Sequence, residues 1–433
     1  MHKTGLSFLL FLFSVSILAQ DLDFVKHHIK TLASPGFHGR GYVKNGDIIA
    51  SDYLADQFKA FSLTAFNKSY FQEYSFSINT FPGKMEVSID RKRLSPGKDF
   101  YIYAGSSGVK GTFSLTRFNL DNIIKDSTQV RSFFRSDHAK EFVMIDTTGF
   151  GKDEFKVSMR NAVYGNLMKA RGIIHLVDSN RYFTASTSKA DFTRFFITKR
   201  SIPADASTIT LNVDQKLIQH TARNVIGYLP GETDTFLVFT AHYDHLGRMG
   251  KDTYLPGAND NASGTAMVLD LMRALSKKQT HRYSYAFMLF SGEEAGLLGS
   301  QHYTANPYFP LSKIKQVLNF DMVGTGSGGV NIFNGTVWKK DFALLDTINK
   351  VNNFGIDLKM KSTSRGSDHY PFHQKGVPAL FILTDGKETG YHVVDDLPEK
   401  LPFTAYEKLF KIIYQYIEAK ENGKIIYSPN TNR

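Results

Sequence analysis

Histidine, aspartate and glutamate recur just past short apolar runs in the second half of this chain. His242 and Asp244 lie in Thr240-Ala-His-Tyr-Asp-His-Leu-Gly247, directly after Phe236-Leu-Val-Phe239. Asp260 lies in the glycine-bounded Gly257-Ala-Asn-Asp-Asn-Ala-Ser-Gly264, and Glu293-Glu294 follow Tyr285-Ala-Phe-Met-Leu-Phe290. Asp321 follows Val317-Leu-Asn-Phe320, and His392 falls in the loop beyond Ala379-Leu-Phe-Ile-Leu383. Carboxylates brought together repel: at about 4 Å and an effective dielectric near 20, each like-charge pair costs roughly 4 kcal/mol. Such a group must take up protons or a cation, and two imidazoles beside it point to a nitrogen-binding divalent metal. The chain has no cysteine, so only His and carboxylate ligands are on offer. Zinc is the first choice for that donor set, with cobalt or manganese as replacements.

These residues can meet only if the apolar runs before them are strands that end along one edge. In an open α/β sheet, strand C-termini line up and ligands bind in the crevice outside them. From Asn224 onward the pattern is strand, loop, helix, repeated, with Ser263 to Lys277 amphipathic through Met267, Leu271 and Leu275. The expected fold is α/β: a three-layer sandwich whose mostly parallel or mixed central sheet is covered by helices on both faces. Phe24–Leu32 and Asn45–Phe61 read as helices, the second with Ile48, Ile49, Tyr53, Leu54 and Phe58 on one side, and Phe71–Ile78 as a strand. The last helix is expected to start in a capping box, Thr404 with Glu407, and to stop near Gly423. From Gly108 to about Ala222 the texture changes to short strands and turns, which suggests a smaller β-rich inserted domain. The resulting division is 20–107 and 223–425 for the main domain, 108–222 for the insertion and 426–433 for a tail.

Composition narrows the classes. Of 433 residues, 42% are hydrophobic and 21% charged, as in globular rather than disordered chains. The net charge of +11 raises the question of nucleic acid, but Arg91-Lys92-Arg93, Lys277-Lys278 and Lys339-Lys340 are short and far apart. No nucleic-acid partner is expected. Met1 to Ala19 reads as a secretory signal peptide, with a basic start, an apolar stretch from Leu6 to Leu18 and a small residue for cleavage. An exported protein, periplasmic or extracellular, without disulfides and without a membrane span in its mature chain is therefore expected.

Taken together, the stretches around His242, Asp260, Glu293-Glu294, Asp321 and Tyr391-His392 resemble, in order, the motifs of the M28 family of di-zinc aminopeptidases. The resemblance covers Asn224 to about Ile417. Gly-Phe-His-Gly-Arg40 also resembles that family's opening, and the inserted stretch resembles, more loosely, a protease-associated domain through Val143-Met-Ile-Asp and Lys169-Ala-Arg-Gly-Ile-Ile. The resemblance implies two zinc ions bridged by Asp260, one also held by His242 and Asp321, the other by Glu294 and His392. It implies Glu293 as general base and acid, and Asp244 as the group that orients His242. It implies peptides as substrates. One departure is that Val393-Val394 stand between His392 and the Asp395-Asp396 pair, where the family often has Thr-Pro.

Other activities are compatible with these residues. A glutaminyl cyclase of related fold would use one zinc, although the inserted stretch argues against it. Carboxypeptidase or dipeptidase specificity is a variant within the fold, and a catalytically silent binding protein would keep the fold alone. Of the remaining histidines, His373 reads as a surface residue, while His245 and His369 receive no role. The sequence does not fix the oligomeric state.

Overall fold

The structure is a computed structural model, and it describes residues 20–118, 127–146, 154–179, 182–388 and 390–424. Both the stretch read as a signal peptide, residues 1–19, and the tail from 426 lie outside the described residues.

The chain opens with α1 (Leu22–Leu32) and α2 (Gly46–Ala60). α1 is capped by Asp21, whose side chain accepts from the Phe24 amide. On α2 the buried positions are Asp47, Ala50, Ser51, Leu54, Ala55 and Phe58. Ile49, expected on that face, is exposed instead, because the buried stripe runs through 47, 50, 51, 54, 55 and 58 and Ile49 falls outside it. Then β1 (Phe71–Thr80) leads into a second sheet.

That second sheet is built from β2 (Met85–Ile89), β3 (Lys92–Leu94), β4 (Phe100–Ile102), β5 (Val109–Phe118), β6 (Glu141–Asp146), β7 (Gly172–Val177), β8 (Thr193–Thr198) and β9 (Thr208–Val213). Their order is β3-β2-β9-β5-β6-β7-β8-β4, with β5 to β8 parallel. Two helices, α3 (Ser127–Arg135) and α4 (Glu154–Tyr164), cover one face through Val130, Phe133 and Val163. Strands β2 to β4 lie upstream of the change in texture at Gly108, so this lobe draws on residues from Met85 onward.

The main sheet resumes with β10 (Lys216–Leu229) and β11 (Phe236–His242). A two-stranded ribbon, β12 (Arg248–Met249) and β13 (Thr253–Tyr254), precedes α5 (Gly264–Leu275) and β14 (Ser284–Phe290). There follow α6 (Leu298–Ala305), β15 (Ile314–Phe320), β16 (Val330–Phe333), α7 (Lys339–Val351), β17 (Leu358–Met360), α8 (His369–Gln374), β18 (Ala379–Thr384) and α9 (Tyr406–Asn422). Strand order is β1-β10-β14-β11-β15-β18-β16-β17, and the four strands β14, β11, β15 and β18 at its centre are mutually parallel.

Side chains alternate across a strand, and the core divides accordingly. Tyr285, Phe287 and Leu289 of β14 join α1, α2, α5, α7 and α9 on one face. Ala286, Met288 and Phe290 face Tyr303 of α6 and Phe372 of α8 on the other. Helices on both faces make the expected three layers and explain why these strands read as continuous apolar runs. α9 ends, as expected, at Gly423 in the left-handed region, but it starts at Tyr406 with no side-chain cap, so Thr404 and Glu407 form no capping box. No helix among the described residues is long and apolar enough to cross a membrane.

Candidate metal centre

The parallel strands deliver the acidic and histidine residues to one edge. His242 is the last residue of β11 and pairs in register with Phe290 at the end of β14, so Glu293 and Glu294 emerge beside it. Asp321 follows β15 directly, and His392 lies in the loop after β18. Asp260 comes from a single π-type turn, Ala258–Ser263, that leads into α5. That turn begins at Gly257, whose φ of +59° and close neighbours exclude a side chain: a Cβ there would lie 2.5 Å from His245 Cδ2.

The distances divide the cluster in two. His242 Nε2 lies 3.4 Å from Asp260 Oδ1 and 3.3 Å from Asp321 Oδ1. His392 Nε2 lies 3.0 Å from Asp260 Oδ2 and 3.1 Å from Glu294 Oε2. Asp260 thus shows one carboxylate oxygen to each imidazole. Two ligands each 2.0–2.1 Å from a tetrahedral zinc stand about 3.4 Å apart, close to the spacing around His242. Glu293 Oε2 is 3.9 Å from His242 Nε2, near the group without joining either half.

His245 also belongs here. It is fully buried, with Nδ1 2.6 Å from Glu294 Oε1 and Nε2 without a hydrogen-bond partner. Sequence reasoning gave it no role; its place three residues past His242 in the same loop was the available signal. His373, read as a surface residue, is half-buried, and His369 is fully buried against Phe381.

Each acid is held by its neighbours. The Asp396 carboxylate accepts from the Asn259 and Asp260 amides, at 2.9 and 3.0 Å. Ser367 Oγ donates to Asp321 Oδ2 at 2.8 Å and accepts from Asn319 Nδ2, whose own oxygen accepts from Thr240. Asp244 acts by two routes. Its carbonyl is 3.1 Å from His242 Nδ1, whereas its carboxylate is 3.8 Å away. That carboxylate accepts instead from Tyr42 Oη at 2.9 Å and from the Glu293 amide at 3.3 Å. A carbonyl only accepts, so a proton sits on His242 Nδ1 and Nε2 is the nitrogen that faces the acids. The expected contact between His242 and Asp244 is therefore made by the main chain.

Arg40, from the N-terminal turn, is completely buried beneath the site. It donates to the carbonyls of Leu32, Tyr243, Pro256, Gly257 and Asp260 at 2.6–3.1 Å. Burial lowers its pKa to about 10, against the pull of Asp260, Asp396, Asp244 and Glu294, so it stays cationic at neutral pH.

The electrostatics ask for a cation. Burial alone would hold His392 neutral, but Glu294 and Asp260 outweigh it and carry the ring up to about 11. His242 is likewise raised well above its ordinary value, burial being opposed by Glu293 and Asp321. Burial raises Glu293 well above the usual carboxyl range, opposed by His242 and reinforced by Asp321, Asp368 and Glu294. Protons on these groups occupy the place a metal would take. Two sets of donor atoms lie within 4.8 Å of one another, His242 with Asp260 and Asp321, and His245 with Asp260 and Glu294. The residues fit zinc: buried oxygen and nitrogen donors around a shared carboxylate, and an arginine already engaged by main-chain carbonyls.

Residues 224–417 match the model of Peptidase family M28. The chain is 31% identical over 198 residues to aminopeptidase YwaD of Bacillus subtilis (strain 168), covering 42% of this chain and 41% of that one. It is 27% identical over 267 residues to a probable leucine aminopeptidase of Trichophyton verrucosum (strain HKI 0517), covering 58% and 69%. Among solved structures, a zinc aminopeptidase from Bacillus subtilis superposes with a TM-score of 0.68 at 20% identity, over 94% of this chain and 97% of that one. An aminopeptidase from Aneurinibacillus sp. strain AM-1 superposes with a TM-score of 0.65 at 22% identity, over 95% and 96%. These superpositions establish a shared fold that includes both lobes.

Proposed function

We propose, from the match of residues 224–417 to the model of Peptidase family M28, that the chain is a member of that family and a di-zinc exopeptidase, an aminopeptidase removing N-terminal residues from peptides. One observation carries the reading: the two Asp260 oxygens face different imidazoles, 3.4 and 3.0 Å away, as a bridging carboxylate requires. His242 and Asp321 would complete one metal site, and Glu294 and His392 the other, with His245 bracing Glu294. Zinc, when bound there, lowers the pKa of a water and polarises a peptide carbonyl.

The chain's own groups supply the rest. Glu293 takes the proton of the attacking water and returns it to the departing amine. Its burial among carboxylates raises its proton affinity toward what that double task needs. Asp244, through the Glu293 amide and the His242 ring, keeps base and ligand in fixed relation. The basic, apolar start of the chain supports export, which fractionation of expressing cells would test.

The test is Glu293→Gln. It should keep its zinc and lose at least about 100-fold in turnover of aminoacyl chromogenic substrates, the usual contribution of a general base. A fully active variant would remove Glu293 from that role. A chelator should abolish the activity of the wild-type chain. One zinc per chain with rapid conversion of N-terminal Gln would favour a cyclase instead.

A further inference from the structure

The second lobe reaches the metal centre at His392. Phe183, in the stretch 182–192 that leads into β8, forms a reciprocal pair of hydrogen bonds with that residue. The Phe183 amide donates to the His392 carbonyl at 3.0 Å, and His392 Nδ1 lies 3.1 Å from the Phe183 carbonyl. Because a carbonyl can only accept, this contact places a proton on Nδ1 and leaves Nε2 as the nitrogen that faces Asp260 and Glu294.

Three further contacts bind the same loop to the same lobe. Val393 packs against the lobe's main core, which includes Phe183 and Phe100. Val394 fills the space over Gly97: a Cβ on that glycine would come within 2.4 Å of a Val394 methyl. The Val394 amide lies 3.4 Å from the hydroxyl of Tyr101 on β4. The two valines after His392 are thus the residues that dock. The same core takes in Leu246, next to His245, and Leu255, so it is continuous with the loop after β11. Phe183 itself is 4% exposed, its ring anchored in that core.

We propose that the second lobe is a structural part of the metal centre, its stretch ahead of β8 fixing His392 through the Phe183 carbonyl. Phe183 is a positioning residue: it acts on the metal through His392. The inference rests on the dinuclear reading above and adds to it a role for the lobe in holding one ion of the two.

The experiment measures zinc affinity rather than activity alone. Wild type, Phe183→Ala and Ile209→Ala are titrated with zinc against a competing chromogenic chelator, and the absorption of the cobalt-substituted forms is recorded. Ile209 is fully buried in the same core, on β9, and makes none of the hydrogen bonds to the His392 loop given above, so its truncation weakens the lobe while leaving those bonds in place. Phe183→Ala is expected to weaken one of the two ions by about 10-fold or more, in the range of outer partners of metal ligands, and to change one cobalt signature. Ile209→Ala is expected to bind both ions as wild type does. Val393→Ser approaches the contact from the other side, leaves the lobe's strands intact and should weaken the same ion, so the idea stays testable if Phe183→Ala does not fold. Unchanged affinities in Phe183→Ala, or equal losses in Ile209→Ala, would overturn the proposal. A wild-type chain that binds fewer than two ions would overturn the dinuclear reading itself, which the first titration detects on its own.

Discussion

Arg40 lies below the acids and touches none of their ligand oxygens, yet it ties together the chain segments that carry them. Its five bonds join the end of α1, the His242 loop and the Asp260 turn. Arg40→Met would strip those buried carbonyls of a charged donor, and losses of this kind run to about 3–5 kcal/mol. Denaturant titration of the variant should show a loss of that size, together with weaker zinc binding; a loss under about 1 kcal/mol would contradict the structural reading. His242, Glu293, Glu294 and Asp321 stood out in the sequence because each follows an apolar run, Asp260 through its glycine-bounded segment and His392 as a histidine in the loop beyond one. Arg40 was legible only as a neighbour in a turn, since nothing local says that a cation will be buried against carbonyls more than 200 residues away. His245 was passed over because its role depends on which way the loop after β11 turns, and that is set by contacts to Gly39 and Arg40 through the Gly247 and His245 amides. A Cβ on Gly41 would come within 2.4 Å of Gly247 Cα, so the close approach of these two turns needs glycine.

Among the elements, the central strands were readable because both faces are covered and their apolar runs are unbroken. Pairing order was not: β1 and the 14-residue β10 join the sheet antiparallel, through registers that no local pattern states. The start of the second lobe was hidden for a similar reason, since β2 to β4 look locally like the segments before them. α5 offers a test of element-scale electrostatics. Asp270 is buried on it, and burial raises its pKa from 3.8 to about 6 against the hydrogen bonds and charge of Arg273. A raised folded-state pKa means that protonated Asp270 is favoured in the fold. The stability this gives is complete below about pH 4 and is lost as pH rises through about 6. Relative to Asp270→Asn, the wild type should therefore lose stability between pH 4 and 6. The gap of 6 − 3.8 = 2.2 pH units, at about 1.36 kcal/mol each, sets a ceiling of about 3 kcal/mol. Urea titrations at several pH values read this difference; one that stays flat would contradict the assignment.

At the scale of the whole molecule, the described residues form two eight-stranded sheets, the second lobe meets the loop of the candidate ligand His392 through Phe183, and a metal bound only by the folded state would stabilise what it joins. Zinc at 100 times its dissociation constant adds about 2.7 kcal/mol per site. Chelation should lower the melting temperature and added zinc should restore it; a melting curve indifferent to both would argue against a resident metal. The most direct test of the central claim is the zinc content of purified wild type and Asp260→Asn, measured on the same preparations. With Asp260 bridging, the wild type should hold two zinc ions per chain and the variant should lose most of both, because one side chain serves both sites. Two ions retained by Asp260→Asn, or a wild-type chain that holds no more than one, would contradict it.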